Sequence, residues 1–418
     1  MQVIERFKKT EVGLIPLDWD VRPCSAICSL ITVGIVIRPA SYYVKEGIPA
    51  FRSANIRETG INTSDLVFIS HKSNTLLAKS QIRSGDVLTV RTGYPGTTAV
   101  VPPELAGSNC IDILISRPTS IISSEYLAFW INSSKGKDQV LRNQGGLAQQ
   151  HFNVGDMRNL LVALPPINEQ QAISVSLLNI SSVIEGLKKL IDKKRDIKQA
   201  TMQQLLTGKT RLPGFIGKWI TKQIGELCNY QNGKALEMFF NKSVGKRVIS
   251  IGNYSVEGTF IESDNFIDTY KYPQTKGFVL DKDDLALLLN DKTAVGTIIG
   301  RAILIDEEDS YVFNQRTMRL KVKGEILPAY LWNAINCNEY HRVFVNLAKP
   351  GTQIYINTGD VLNFKITIPT DLKEQSAIVE IISSLANELT ALDRKLSKLK
   401  LLKQGMMQEL LTGRIRLV

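Results

Sequence analysis

The sequence predicts an α+β protein in which two duplicated globules are separated by two long helices. Those helices are expected to pair as an antiparallel coiled coil with pseudo-twofold symmetry. Three observations predict it: an internal repeat, a heptad stripe inside the repeated segment, and short β-like runs with turn signals between the copies. The repeat is the strongest. Glu169-Gln170-Gln171-Ala172-Ile173 recurs as Glu374-Gln375-Ser376-Ala377-Ile378, and Leu205-Leu206-Thr207-Gly208 recurs as Leu410-Leu411-Thr412-Gly413. No gap is needed between these anchors, and 16 of 44 aligned pairs are identical, far beyond chance. A period of 205 residues is too long for a solenoid, so whole domains are duplicated. Weaker echoes, such as Asn153 with Gly155-Asp156 against Asn357 with Gly359-Asp360, carry the duplication into the flanking regions.

Each repeated segment reads as one long helix. Alternate steps of four and three residues pass through Ile173, Leu177, Ile180, Ile184, Leu187, Ile191 and Leu205 in the first copy. In the second they pass through Ile378, Ile382, Leu385, Leu389, Leu392, Leu396, Leu399, Met406 and Leu410. A narrow a/d seam of this length calls for a partner helix. Start signals agree: Pro166 then Asn168, and Pro369 then Asp371 with Glu374 three residues on. Gly208 and Gly413 stand where a helix ends in a left-handed residue. Each helix is about 40 residues, hence about 60 Å. The first delivers the chain to the second globule and the second must return, so the pair is antiparallel. The other packing open to the sequence is each helix lying on its own globule.

Residues 14–164 and 213–368 carry the β-like runs, including Asp86–Val90 and Lys246–Ile251, with turn signals such as Thr92-Gly93-Tyr94-Pro95-Gly96 and Lys349-Pro350-Gly351. The expected division is residues 1–164, 165–212, 213–368 and 369–418. The first globule has 14 basic and 11 acidic side chains and the second 18 and 17, so any basic face must be local. The Lys188–Lys198 cluster fits the solvated side of a coiled coil.

Composition narrows the function. Across 418 residues, 51 Lys and Arg against 40 Asp and Glu leave +11, a balance that allows a nucleic-acid partner. Hydrophobic residues at 44% fit a folded protein. No apolar run suits a membrane helix, no amino-terminal signal pattern is present, and a cytoplasmic location is expected. Five cysteines without a CxxC pair and three scattered histidines argue against zinc modules and disulfide scaffolds. No Asn-Pro-Pro-aromatic tetrapeptide and no glycine loop for a nucleotide or methyl donor occurs. Gly208-Lys209-Thr210 resembles the tail of a phosphate-binding loop, but Gln203 replaces the upstream glycine and the tripeptide ends a helix. The chain reads as a binding protein with no catalytic residues, no metal site and no cofactor of its own.

With these residues in view, the chain resembles the specificity subunits of type I restriction–modification systems. Lys9-Thr10-Glu11-Val12-Gly13-Leu14-Ile15-Pro16-Leu17-Asp18-Trp19 resembles the family's amino-terminal signature. Leu164-Pro165-Pro166 with Glu169-Gln170 and Leu205–Gly208 is similar to its central region, and Ile368-Pro369 with Glu374-Gln375 and Leu410–Gly413 to its distal one. The resemblance implies two target-recognition domains, each reading half of a bipartite DNA site, with the helices as the ruler between them. It implies adenine methylation and ATP-driven cleavage by partner subunits: two modification and two restriction subunits, which would hold S-adenosylmethionine, ATP and Mg2+.

Loop residues able to read bases or grip phosphates are the candidate contacts. In the first globule these are Arg38, Tyr42, Tyr43, Lys45, Arg52, Asn55, Arg57, Arg91, Gln149 and Gln150, with Tyr42 and Tyr43 equally suited to a core. In the second they are Lys234, Lys242, Lys246, Arg247, Asn253, Tyr254, Asn290, Lys292, Lys349, Gln353 and Tyr355. The alternatives are a stand-alone DNA methyltransferase or nuclease with unrecognised motifs, or a structural coiled-coil binding protein.

Overall fold

The structure is a computed structural model that describes residues 7–142, 151–293, 295–349 and 353–417. It contains the two long helices, α1 (Ile167–Leu206) and α2 (Leu372–Leu410). The chain forms two compact units, and these cut across the sequence segments: each unit holds one globule together with part of both helices.

The first unit comprises residues 1–188 and 394–418. Its main sheet is antiparallel, in the order Thr98–Val100, Val87–Val90, Ile113–Pro118, Cys28–Val33. A second sheet places Ile48–Phe51 parallel to Asn109–Cys110 and antiparallel to Val67–Ile69. The antiparallel pairing of Asp20–Pro23 with Leu161–Leu164 ties the two ends of the globule together and leads into α1. Ile173 and Leu177 of α1 join Leu410 and Leu411 of α2 in one core with Trp19, Tyr126 and Trp130.

The second unit, residues 189–393, is built from corresponding parts. Its main sheet runs Ala302–Leu304, Leu285–Leu288, Thr317–Val322, Cys228–Asn232, and Trp219–Gln223 pairs with Lys365–Pro369. Leu205 and Leu206 share its core with Ile378 and Ile382.

Within each unit the two helices meet and run antiparallel. In the second, Lys194 bonds Glu388 at 2.8 Å and Arg195 reaches Asp393 at 3.3 Å. In the first, the helix ends interdigitate through Ile173, Leu177, Met406 and Leu410. Every expected seam residue is buried or half-buried: Ile180, Leu385, Leu392, Leu396, Leu399 and Met406 are half-buried, and the other ten are buried. Helix pairing and packing on a globule are thus combined rather than alternative, because the helix ends are also core elements.

Candidate nucleic-acid interface

The repeated motifs build matching joints. In the first unit, buried Glu169 accepts from Trp19 Nε1 at 3.0 Å and from Arg416 Nε at 2.6 Å. In the second, buried Glu374 accepts from Trp219 Nε1 at 3.2 Å and from Arg211 Nε at 3.0 Å. Hydrogen bonding to these carboxylates raises the pKa of both guanidiniums. The neighbouring glutamines act alike: Gln170 accepts from Ser123 N and donates to Pro165 O, while Gln375 accepts from Leu327 N and donates to Pro369 O. Each joint fixes a helix start to its globule with groups that would otherwise lack partners in the interior.

Strand register brings one set of loops to the same sheet end in each globule. In the first, Val90 pairs with Ile113 and Leu114 with Val33, so the segments after Val33 and Val90 and before Ile113 converge. There Arg91 Nη1 donates to Asp112 Oδ1 at 2.8 Å, and Phe152 N donates to Arg91 O at 3.0 Å. Arg38 lies on the same connection, exposed and left-handed at φ 44°. In the second globule Leu288 pairs with Thr317 and Asn232 with Met318. Ile356 N donates to Leu289 O at 2.9 Å, the counterpart of the Phe152 bond. Lys234, Asn290, Lys292, Lys349, Gln353 and Tyr355 gather around this end, held by the Asn290–Tyr355 pairing and the Lys349–Tyr355 bridge. Lys349 lies 3.7 Å from Asp360.

Other candidates lie apart from this edge, on the second sheet of each globule and the loops that flank it. Tyr42 packs half-buried against a small core, and Tyr43 pairs with Ile69 as a strand residue. Lys45 and Arg57 are exposed, without side-chain partners among the described residues. Arg52 pairs with Asp65, Lys242 with Asn265, Lys246 with Asp309, and Arg247 with Glu307 and Tyr311. Gln149 and Gln150 lie outside the described residues.

Four candidates need correction, because they are buried. Asn55 accepts from Arg52 N and donates to Asn62 O and Asp65 O. Asn253 accepts from Ser250 N and donates to Ile261 O, satisfying the same turn in the other globule. Tyr254 is 4% exposed and its hydroxyl lies 3.3 Å from Ala286 O. Asn290, 6% exposed, sits within a strand, so its backbone rather than its side chain belongs to the edge. A polar side chain that completes a buried turn has no spare donors for a ligand.

Two residues at the edges were not anticipated. Tyr94 is 84% exposed on the loop after Arg91, and Arg316 is held at φ 73° beside Leu289. An aromatic enclosed by Gly93 and Gly96 was the available signal for the first.

Paired helices carrying two like globules, each with a cationic and aromatic loop edge, define a duplicated DNA-recognition scaffold. Residues 216–401 match the family model described as type I restriction modification DNA specificity domain. Over 440 aligned residues the chain is 24% identical to the MjaVIII type I restriction enzyme specificity subunit of Methanocaldococcus jannaschii, covering 99% of this chain and 96% of that protein. The fold also matches a chain from a solved type I restriction–modification system (TM-score 0.60, 17% identity, 96% of this chain and 99% of that one). It likewise matches the type I restriction–modification S subunit of M. genitalium (TM-score 0.56, 14% identity, 98% of both chains). The family model, the relatives and the solved folds together indicate a specificity subunit of a type I restriction–modification system, the DNA-recognition subunit of such a complex. Among the described residues, no helix is long and apolar enough to cross a membrane.

Proposed function

We propose that each globule reads one half of a bipartite DNA site through its loop edge, while α1 and α2 set the unread spacer and dock two modification subunits. Two restriction subunits complete the assembly. Adenine methylation and ATP-driven cleavage then fall to those partners, with S-adenosylmethionine, ATP and Mg2+ bound by them, and this chain acts without catalysis in the cytoplasm. The observation carrying this reading is that the same loop edge is built twice from corresponding strands, as a two-part target requires. Ile173 to Leu205 spans 32 residues, about 48 Å, or roughly 14 base pairs of duplex. Exchanging residues 14–164 for those of another specificity subunit tests it. A map of methylated adenines should show one half-site replaced and the other retained; replacement of both, or of neither, would refute the assignment.

A further inference from the structure

The second unit contains a cleft of about 470 Å³ between the turn at Val256–Thr259, the end of the helix Pro328–Asn336, and the adjoining stretches of α1 and α2. Arg301 lines it and is 5% exposed. Its Nη1 donates to Asn336 O and its Nη2 contacts Asn338 Oδ1 at 3.5 Å, while Nε has no acceptor. Among the described residues no carboxylate forms an ion pair with it, and burial pushes its pKa down to about 10. Glu257, which also lines the cleft, acts on Arg301 only through space; a buried guanidinium with no contacting carboxylate is costly, and an anion entering the cleft lowers that cost.

Lys198 also lines the cleft, half-buried on the helix seam with no ion pair among the described residues. Arg195, by contrast, is already matched by Asp393. Two cations with no contacting carboxylate among the described residues fit a dianion better than a single carboxylate. Trp332 adds an aromatic wall, locked by bonds from its Nε1 to Gly258 O and Ala302 O. Volume, cations and ring together suit a nucleotide-sized phosphate ester.

We propose that the cleft lined by Arg301 and Lys198 binds a phosphate group, carried by a free mononucleotide or by a DNA backbone. The corresponding cleft of the first unit supplies an internal contrast. It holds Lys403 at the position of Lys198, but Thr97 stands where Arg301 would be, just before the residue whose N–H bonds Asn132.

The full chain should be titrated with inorganic phosphate and with AMP against chloride at equal ionic strength, followed by calorimetry and 31P line broadening. Saturable binding is expected, weakened at least tenfold by Arg301→Gln and by Lys198→Gln and unchanged by Lys403→Gln. Lys198→Gln alters a half-exposed side chain, so it carries the test if Arg301→Gln does not fold. Displacement of AMP by a short duplex identifies the DNA backbone as the source, and no displacement identifies the free nucleotide. Absence of binding by both probes, insensitivity to Arg301→Gln or Lys198→Gln, or loss on Lys403→Gln would overturn the proposal. None of these results bears on half-site reading, which the methylation map scores separately.

Discussion

Arg416 closes a two-pronged ion pair on Glu169, 247 positions earlier in the chain, with Nε and Nη2 at 2.6 and 2.8 Å from the two carboxylate oxygens. The corresponding pair, Arg211 with Glu374, spans 163 positions. The first unit therefore takes from the end of the chain what the second takes from the segment just before its own globule. Arg416 also pairs with Asp18 at 2.8 Å and lies over the Trp19 ring, so the last residues fasten the first.

Arg416→Gln leaves the Glu169 carboxylate buried with only the Trp19 indole as donor. Removing one partner of such a pair should cost on the order of 3 kcal/mol. Denaturant unfolding should show that loss, and Glu169→Gln combined with Arg416→Gln should recover part of it. Additive losses in the double variant would show that the pair is not coupled.

Gly413 and Gly208 follow α2 and α1 at φ 67° and 70°. A Cβ at Gly413 would stand 2.4 Å from Pro16 Cγ and 3.1 Å from the Trp19 ring; at Gly208 it would meet the Trp219 ring at 2.9 Å. Gly214 has φ 88° with open space around it, so Gly214→Ala isolates backbone strain, about 1 kcal/mol. Gly208→Ala should exceed that and Gly413→Ala exceed both, because the Pro16 ring cannot swing aside. Melting temperatures of the three variants should fall in that order.

His341 is a half-buried residue whose Nε2 has no partner, and burial beside Arg301 pushes its pKa from 6.5 to about 4; Asp291 and the Ile299 backbone oppose this only in part. The unfolded chain therefore binds the proton first as pH falls. Its contribution to stability is present above pH 6.5 and is lost progressively toward pH 4. Urea midpoints measured at pH 7.5, 5.5 and 4.5 should fall less for His341→Asn than for the parent. Parallel curves would contradict the assignment.

Much of the fold was legible because duplication and heptad spacing are properties of order along the chain. The repeat singled out Glu169 and Glu374, and its aligned pairs include Arg211 with Arg416 and Leu205 with Leu410. What it could not supply is partnership: an offset of 205 aligns Arg416 with Arg211 but does not say that Arg416 returns to Glu169. The contact candidates were less legible for a related reason. Asn55 and Asn253 share residue type with a base-reading amide, and only tertiary structure shows their donors spent on Asn62 and Ile261 carbonyls. Tyr254 stands among the candidate contacts by residue type alone, and its burial follows from packing with Ala286 and Phe313.

Lys292 is exposed on the second globule's edge, without an ion-pair partner among the described residues. If it grips a phosphate, Lys292→Ala should weaken binding of the assembled methyltransferase to all sequences alike. The slope of log affinity against log salt should become shallower by about one. Fluorescence anisotropy across a salt series measures both. An unchanged slope, or a loss confined to one base at one half-site, would remove Lys292 from the phosphate contacts.

The ruler reading makes the most exposed prediction. Burial repeats with the heptad along both helices, from Ile173 through Ile191 and from Ile378 through Leu410. Inserting seven residues into each helix therefore preserves the seam, whereas inserting four would rotate the apolar face away from its partner. One added heptad lengthens each helix by about 10.5 Å, the length of about three base pairs. Methylated sites mapped in a host carrying the double insertion should keep both half-site sequences and show a spacer about three base pairs longer. A spacer of unchanged length would mean that the DNA gap is set by the partner subunits, with α1 and α2 serving only to hold them.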